Sequence, residues 1–317
     1  MTINSNNQGR AFEYITLITL KEEISKVRDV VIKEDSSFFA TKRAWNQIDL
    51  TLQSDLKKAS KAPIDIIFES EPMICEDSGD VLELLIQPDS QGEKGDVRDI
   101  LLVRRDISWE VGLSLKHNHS AVKHSRLAKD LDFGEKWFGI PCSEQYWKDI
   151  GPIFKYLEEE KSKRSKWRDL PDKENDVYVP LLNAFKDEVI RSSNSNPEVP
   201  RRMIEYLVGD YDFYKVTSWD RKKITEISTY NLKGTLNQGN NNHSKNPIPI
   251  VNLPTKIINI DFKAGKKNTI EMFMDEGWQF SFRIHNASSK VETSLKFDIK
   301  PIKRPDTIVQ INCKWNE

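Results

Sequence analysis

Asp99 and Lys116 are the residue types, at the spacing, from which a hydrolytic site could be built. A carboxylate offers an oxygen ligand to a hard divalent cation, and an ammonium beside it steadies a hydroxide or an anionic substrate. Both lie in GDVRDILLVRRDISWEVGLSLKHNHSAVKHSRLAKDLD, residues 95–132. Its patterning predicts a strand over 99–103, a tight turn at Arg105 and Asp106, a second strand over 107–116, and then a helix rich in His, Lys and Arg. With Arg104 and Ile107 flanking a two-residue turn, antiparallel pairing sets Asp99 opposite Gly112, on the face of Ser114 and Lys116. A slip of one residue brings Asp96 opposite Lys116 instead, so Asp96 stands in reserve behind Asp99.

Several elements must hold that hairpin. Leu17, Leu20, Ile24, Val27 and Val31 step by three and four, which predicts an amphipathic helix over residues 10–33. Glu13 falls one step upstream on the same seam, where an uncompensated charge costs several kcal/mol. Glu13 therefore either caps exposed amides of the first turn or reaches the metal site. Trp45, Ile48, Leu52 and Leu56 predict a second helix over 37–60, and strands are expected at 64–68 and 81–86. Pro88 and Asp89 stand in the Ser/Gln/Gly-rich PDSQGEKG and read as a turn. Residues 140–206 are mostly helical by pattern, and 213–315 alternate as strands. Within the latter the polar run TLNQGNNNHSKNPIP, 235–249, has the composition of a long loop. Three consecutive regions are expected: a core at 1–140, a helical region at 141–210 and a β-rich region at 211–317.

An acid on one strand and a lysine ending the next, with a basic segment beyond, resembles the PD-(D/E)xK nuclease site. The wording EVGLSLKHNHSAVKHSRL, with KGDVRDILLV before it and GRAFEYI near the N-terminus, is similar to the HaeIII family of type II restriction endonucleases. The resemblance implies an α/β (α+β) fold: a restriction-endonuclease-like core with flanking helices and a C-terminal β-rich region. It implies Mg²⁺ held by Asp99 and the Leu115 carbonyl, and Lys116 activating the attacking water. The substrate would be double-stranded DNA at a short palindrome, GGCC. A homodimer would match the symmetry of that site, and a DNA methyltransferase would protect the host.

The pattern departs from the superfamily at Ser114, two positions before the lysine, where an acid is usual. By analogy with restriction enzymes that carry the missing acid further on, Asp130, the fourteenth residue after Lys116, is the candidate. On a helix beginning at His119 it would lie about 16 Å along the axis, so the chain would have to double back. Glu110 shares the strand face of Lys116 but is roughly 20 Å away. His119, Lys123, Arg126 and Asp130 would share one face of that helix. With Asn118 and His124, the first three are candidates for DNA contact, set against the plainer reading of a solvated basic face.

The 317 residues, 38% of them hydrophobic, can bury a substantial core. No apolar run has transmembrane length and no signal peptide is evident, so a cytoplasmic location is expected. Cys75, Cys142 and Cys313 read as reduced thiols. The net charge of -1 hides an asymmetry: residues 1–200 hold 29 Lys and Arg against 36 Asp and Glu, and residues 201–317 hold 19 against 13. The basic C-terminal part suits a phosphate-facing surface. The alternative to an enzyme is a non-catalytic DNA-binding protein on a nuclease scaffold, motivated by Ser114.

Overall fold

A computed structural model describes residues 5–93, 95–119, 123–237 and 247–316. In chain order the elements begin with α1 (Ser5–Ile24), β1 (Val30–Ile32), α2 (Ser36–Gln47), α3 (Leu50–Lys61) and α4 (Ile64–Ser70). Next come β2 (Leu82–Ile86), α5 (Ser90–Glu93), β3 (Ile100–Arg104), β4 (Trp109–His117) and β5 (Lys123–Ala128). Four helices follow: α6 (Phe133–Phe138), α7 (Glu144–Ser162), α8 (Val179–Ser195) and α9 (Val199–Val208). The remaining strands are β6 (Phe213–Trp219), β7 (Ile224–Tyr230), β8 (Ile257–Phe262), β9 (Thr269–Met274), β10 (Gln279–His285), β11 (Ser294–Lys303) and β12 (Gln310–Lys314).

These elements form two compact units whose segments interleave. One comprises Met1–Ser120, Asp210–Val251 and Asp306–Glu317; the other comprises Ala121–Gly209 and Asn252–Pro305. The three consecutive regions expected from the sequence are thus redistributed. β6, β7 and β12 join the sheet of the first unit, and β8 to β11 build the sheet of the second.

The first unit holds a sheet of order β1-β2-β3-β4-β6-β7-β12, with β1–β2 and β4–β6 parallel. One face is apolar: Leu84, Ile100, Leu102, Leu113, Leu115, Val216 and Ile227 are buried with Phe12, Ile15, Leu20 and Ile24 of α1. Each such aliphatic side chain contributes about 1.5–3 kcal/mol relative to exposure. Alternation then puts Ser114, Lys116, Lys215 and Thr217 on the other face.

The second unit holds an antiparallel sheet of order β5-β11-β10-β9-β8. Its apolar face packs on aromatic side chains. Phe133 packs on Phe185 at 4.9 Å, and Trp137 and Phe185 from the helices meet Phe282 and Phe297 with ring centroids 5.0 to 6.3 Å apart. The basic stretch at 161–168 is anchored here too, because Trp167 is buried and Lys163 pairs with Glu160.

Four local expectations are corrected. The first helix ends at Ile24, not at residue 33, and Val27 and Val31 are about half exposed at 50% and 48%. Arg28 ends it by burying its guanidinium against Asp80 and the carbonyls of Met73 and Glu76, and Val30, Val31 and Ile32 then pair with β2. The helix expected at 37–60 is two helices, because Asp49 caps α3 by accepting from the Leu52 amide. The apolar run at 64–68 is helical, its buried Ile64 and Ile67 three residues apart. Beyond Lys116 there is no basic helix among the described residues: Asn118 turns the chain with φ 52°, and residues 123–128 form β5, paired with β11. Most of the polar run at 235–249 lies outside the described residues.

Candidate active site

The hairpin β3–β4 turns through a single 3-10 turn at Arg105–Ile107 closed by Ser108 at φ 53°. That loop is two residues longer than the expected turn, so Arg104 pairs with Trp109 and Ile100 with Leu113. Asp99 therefore comes level with Ser114 instead of Gly112. The displacement is an even number of residues, so every side chain keeps its face.

Asp99 stands just before β3 and is fixed through its backbone, its amide donating to Leu113 O at 2.8 Å and its carbonyl accepting from Gln87 N at 2.9 Å. Its Oδ2 accepts from the Leu115 amide at 2.6 Å and from Lys116 Nζ at 3.2 Å, with Ser114 Oγ at 3.4 Å. The Leu115 amide points at Asp99 because the β3 ladder has ended there. By strand geometry the Leu115 carbonyl faces the same side.

Asp96, the reserve candidate, is committed elsewhere. Its two oxygens accept from Arg98 Nε and Nη2, both at 2.8 Å, and from Gln87 Nε2 at 2.7 Å. Burial pushes the Asp96 carboxyl up, and the Arg98 and Gln87 hydrogen bonds more than offset that, leaving it below the usual range. Arg98 lies flat over Gly112, where an added Cβ would come within 2.1 Å of its Cδ. It also reaches Glu110 at 2.8 Å, which accounts for that acid.

From α1, Glu13 joins the same electrostatic neighbourhood. Its carboxyl is raised to about 8, first by burial and then by the Asp99 and Asp89 carboxylates, against the lowering effect of Lys116 and Arg10. Arg10 holds Asp89 at 2.6 Å, and with Glu13, Ser37, Thr41 and Gln87 these two line a cleft of about 200 Å³.

A family model described as HaeIII restriction endonuclease matches residues 9–305. The type II restriction enzyme HaeIII of Haemophilus aegyptius is 47% identical over 319 aligned positions, covering the whole of both chains. The chain belongs to the HaeIII restriction endonuclease family. No solved structure matches it.

Membership in the HaeIII family makes the fit of a divalent metal a direct question. The donors at hand, the Asp99 and Glu13 carboxylates and the Leu115 carbonyl, are all hard oxygens of the kind Mg²⁺ takes. Burial, and after it the Asp99 charge, hold Glu13 toward its protonated form although Lys116 and Arg10 oppose them. Among the described residues no three His, Cys, Asp or Glu side chains converge as a metal cluster. Two carboxylates and a backbone oxygen are donors of the chemistry that suits such a cation.

The other sequence candidates are placed differently. Asp130 lies exposed in the turn after β5, in the second unit, without the helix expected to carry it. Asn118 spends its polar atoms on the neighbouring strand end: Nδ2 donates to Asp220 at 2.8 Å, and Oδ1 accepts from the Asp220 amide at 3.0 Å. His117, beside it, meets the same Asp220 oxygen at 2.8 Å. His119 is exposed at the end of β4. Lys123 and His124 belong to β5 by backbone, and their side chains lie outside the described residues. Arg126 is exposed on β5, its Nη1 donating to Ser294 Oγ at 3.1 Å.

Sequence reasoning missed Arg10 and Asp89 as parts of the site. Both signals were present, Arg10 in GRAFEYI and Asp89 in the literal PD dipeptide, but only the fold brings residues 79 apart into an ion pair.

Proposed function

We propose that this type II restriction endonuclease of the HaeIII family cuts double-stranded DNA within GGCC, using Mg²⁺ held by Asp99, Glu13 and the Leu115 carbonyl. The observation that carries the reading is the convergence of Asp99, the Leu115 edge and Lys116 at one end of a hairpin, with Lys116 Nζ 3.2 Å from Asp99. When bound, the metal supplies Lewis acidity and a more acidic water. Lys116 Nζ orients the attacking water and neutralises charge on the scissile phosphate. Water bonds to phosphorus and releases a proton to solvent as the P–O3′ bond breaks; the 3′ oxygen leaves with a proton from solvent, and the 5′ phosphate remains. Ser114 donates its hydroxyl toward Asp99 and thereby orients the carboxylate, with Glu13 as the second acid.

The remaining expectations follow from the same reading. A palindromic target is read by a two-fold homodimer, with Asn118, His119, Lys123, His124 and Arg126 contributing DNA contacts. A methyltransferase of the same specificity protects the host DNA, and the pair acts in the cytoplasm. Among the described residues no helix is long and apolar enough to cross a membrane.

Digestion of unmethylated plasmid in Mg²⁺ by wild type and Lys116→Ala, with binding followed in Ca²⁺, tests this. Wild type should give fragments ending within GGCC, and the variant should cut slower by on the order of 10²–10⁴-fold while still binding. Specific binding with no cutting by wild type would replace the enzyme with a DNA-binding protein.

A further inference from the structure

The sheet of the second unit has one face committed to its aromatic core, where Phe282, Ile284, Leu295, Phe297 and Ile299 are buried. Its other face is charged, and unevenly so. Register aligns Arg126 of β5, Lys296 of β11 and His285 of β10 in one cross-strand row. In the next rows stand Asp298 with Arg283, and Lys300 with Ser281. Arg126, Arg283 and Lys300 are exposed, and Lys296 is half-buried. Asp298 sits among these cations and is largely buried at 9% exposure. It accepts from Arg283 Nη2 at 2.8 Å and lies 3.1 Å from His285 Nε2. Toward β9 the positive character stops: Glu271, paired with Ser281, is already held by Lys263 at 2.6 Å.

Such a surface does not stabilise the fold. Like charges on adjacent strands repel, and a polar sheet face carries neutral or alternating charges at lower cost. Arg126 and Lys296 stand one strand step of ~4.8 Å apart and Lys300 lies further along β11, about 13 Å at ~3.3 Å per residue, so these cations track a stretch of phosphate backbone. Asp298 adds direction. A guanidinium tied through one nitrogen keeps further N–H donors for a second partner, and Arg283 remains half exposed, at 52%. Arg is the side chain whose fork pairs with guanine O6 and N7.

Resting on the nuclease reading above, we infer that the outer face of β5, β11 and β10 binds the DNA duplex, with Arg126, Lys296 and Lys300 on phosphates and Arg283, held by Asp298, reading a guanine. The test measures binding in Ca²⁺ over a range of salt, using one duplex containing GGCC and one without it, with full-length protein and circular dichroism as a fold control. The triple variant Arg126→Ala, Lys296→Ala, Lys300→Ala should weaken binding to both duplexes alike and lower the salt slope by about 3. Arg283→Ala should cost roughly 5- to 150-fold on the GGCC duplex and leave the other unchanged, with no rescue by Arg283→Lys. An unchanged salt slope in the triple variant, with a wild type that still binds and cuts, would overturn this surface and leave the nuclease reading intact. Equal losses on both duplexes for Arg283→Ala would overturn its role as a reader. A wild type that neither binds nor cuts would remove the nuclease reading, and this inference with it.

Discussion

Glu13 shows what burying one carboxylate near another costs and what it can do. Its proton is retained to about 8 because burial and the Asp99 charge both oppose ionisation. Glu13→Gln removes the charge that makes it a cation ligand while keeping its size. The variant should cleave about 100-fold or more slowly and need more Mg²⁺ for half-maximal rate, read from initial rates across a metal titration. Glu71 is the contrasting case away from the hairpin. It accepts from Tyr214 Oη at 2.7 Å and from the Asn237 amide at 2.6 Å, and burial raises it to about 7. Because the folded state holds this proton more tightly than the unfolded chain, the stability it confers is complete below pH 4.5 and is lost as pH rises through 7. Glu71→Gln, which cannot ionise, should therefore gain on wild type between pH 4.5 and 8 by up to about 3 kcal/mol. Urea denaturation at the two pH values checks it, and a difference that does not grow with pH would contradict it.

At the scale of elements, the hairpin that carries the site is pinned at its far end. Arg104 is 1% exposed and gives Nε to Asp80 at 2.8 Å, while Asp80 also accepts from Arg28 at 2.8 Å. The Arg104 hydrogen bond is the chief cause of the Asp80 carboxyl lying far below the usual range, against the opposing effect of burial. Asp80→Ala would leave two buried guanidinium groups without their acid and should cost about 3–5 kcal/mol by thermal or urea unfolding. The face of Asp99 was legible in the sequence because alternation has period two, so a turn two residues too short still gave the right side. The strand β5 was not legible. Its partner β11 lies far along the chain, Leu127 opposite Leu295, and local periodicity carries no trace of a distant pairing. Nor does it reveal Arg28 as the residue that stops α1, since nothing within residues 10–33 announces the buried Asp80 that it meets.

For the whole molecule, interleaving forbids division at the consecutive boundaries the sequence favoured. The central strand β4 is flanked by β3 and by β6, and β6 begins at Phe213. A fragment ending at residue 140 would expose the edge of β4 where β6 belongs. Expressed alone, it should aggregate or lack a cooperative melting transition by circular dichroism, and a well-folded monomer would contradict this.

The parallel pairing of β4 with β6 also sets a clock. Leu113 finds Tyr214 only after the chain has left the first unit, built the helices of the second and returned, about a hundred residues later. At ~5–20 residues per second of synthesis, that is a wait of roughly 5–20 s in which the strand ending in Lys116 has emerged with one neighbour missing. Until β6 has been made, the hairpin that carries Asp99 and Lys116 therefore stands at the edge of an unfinished sheet.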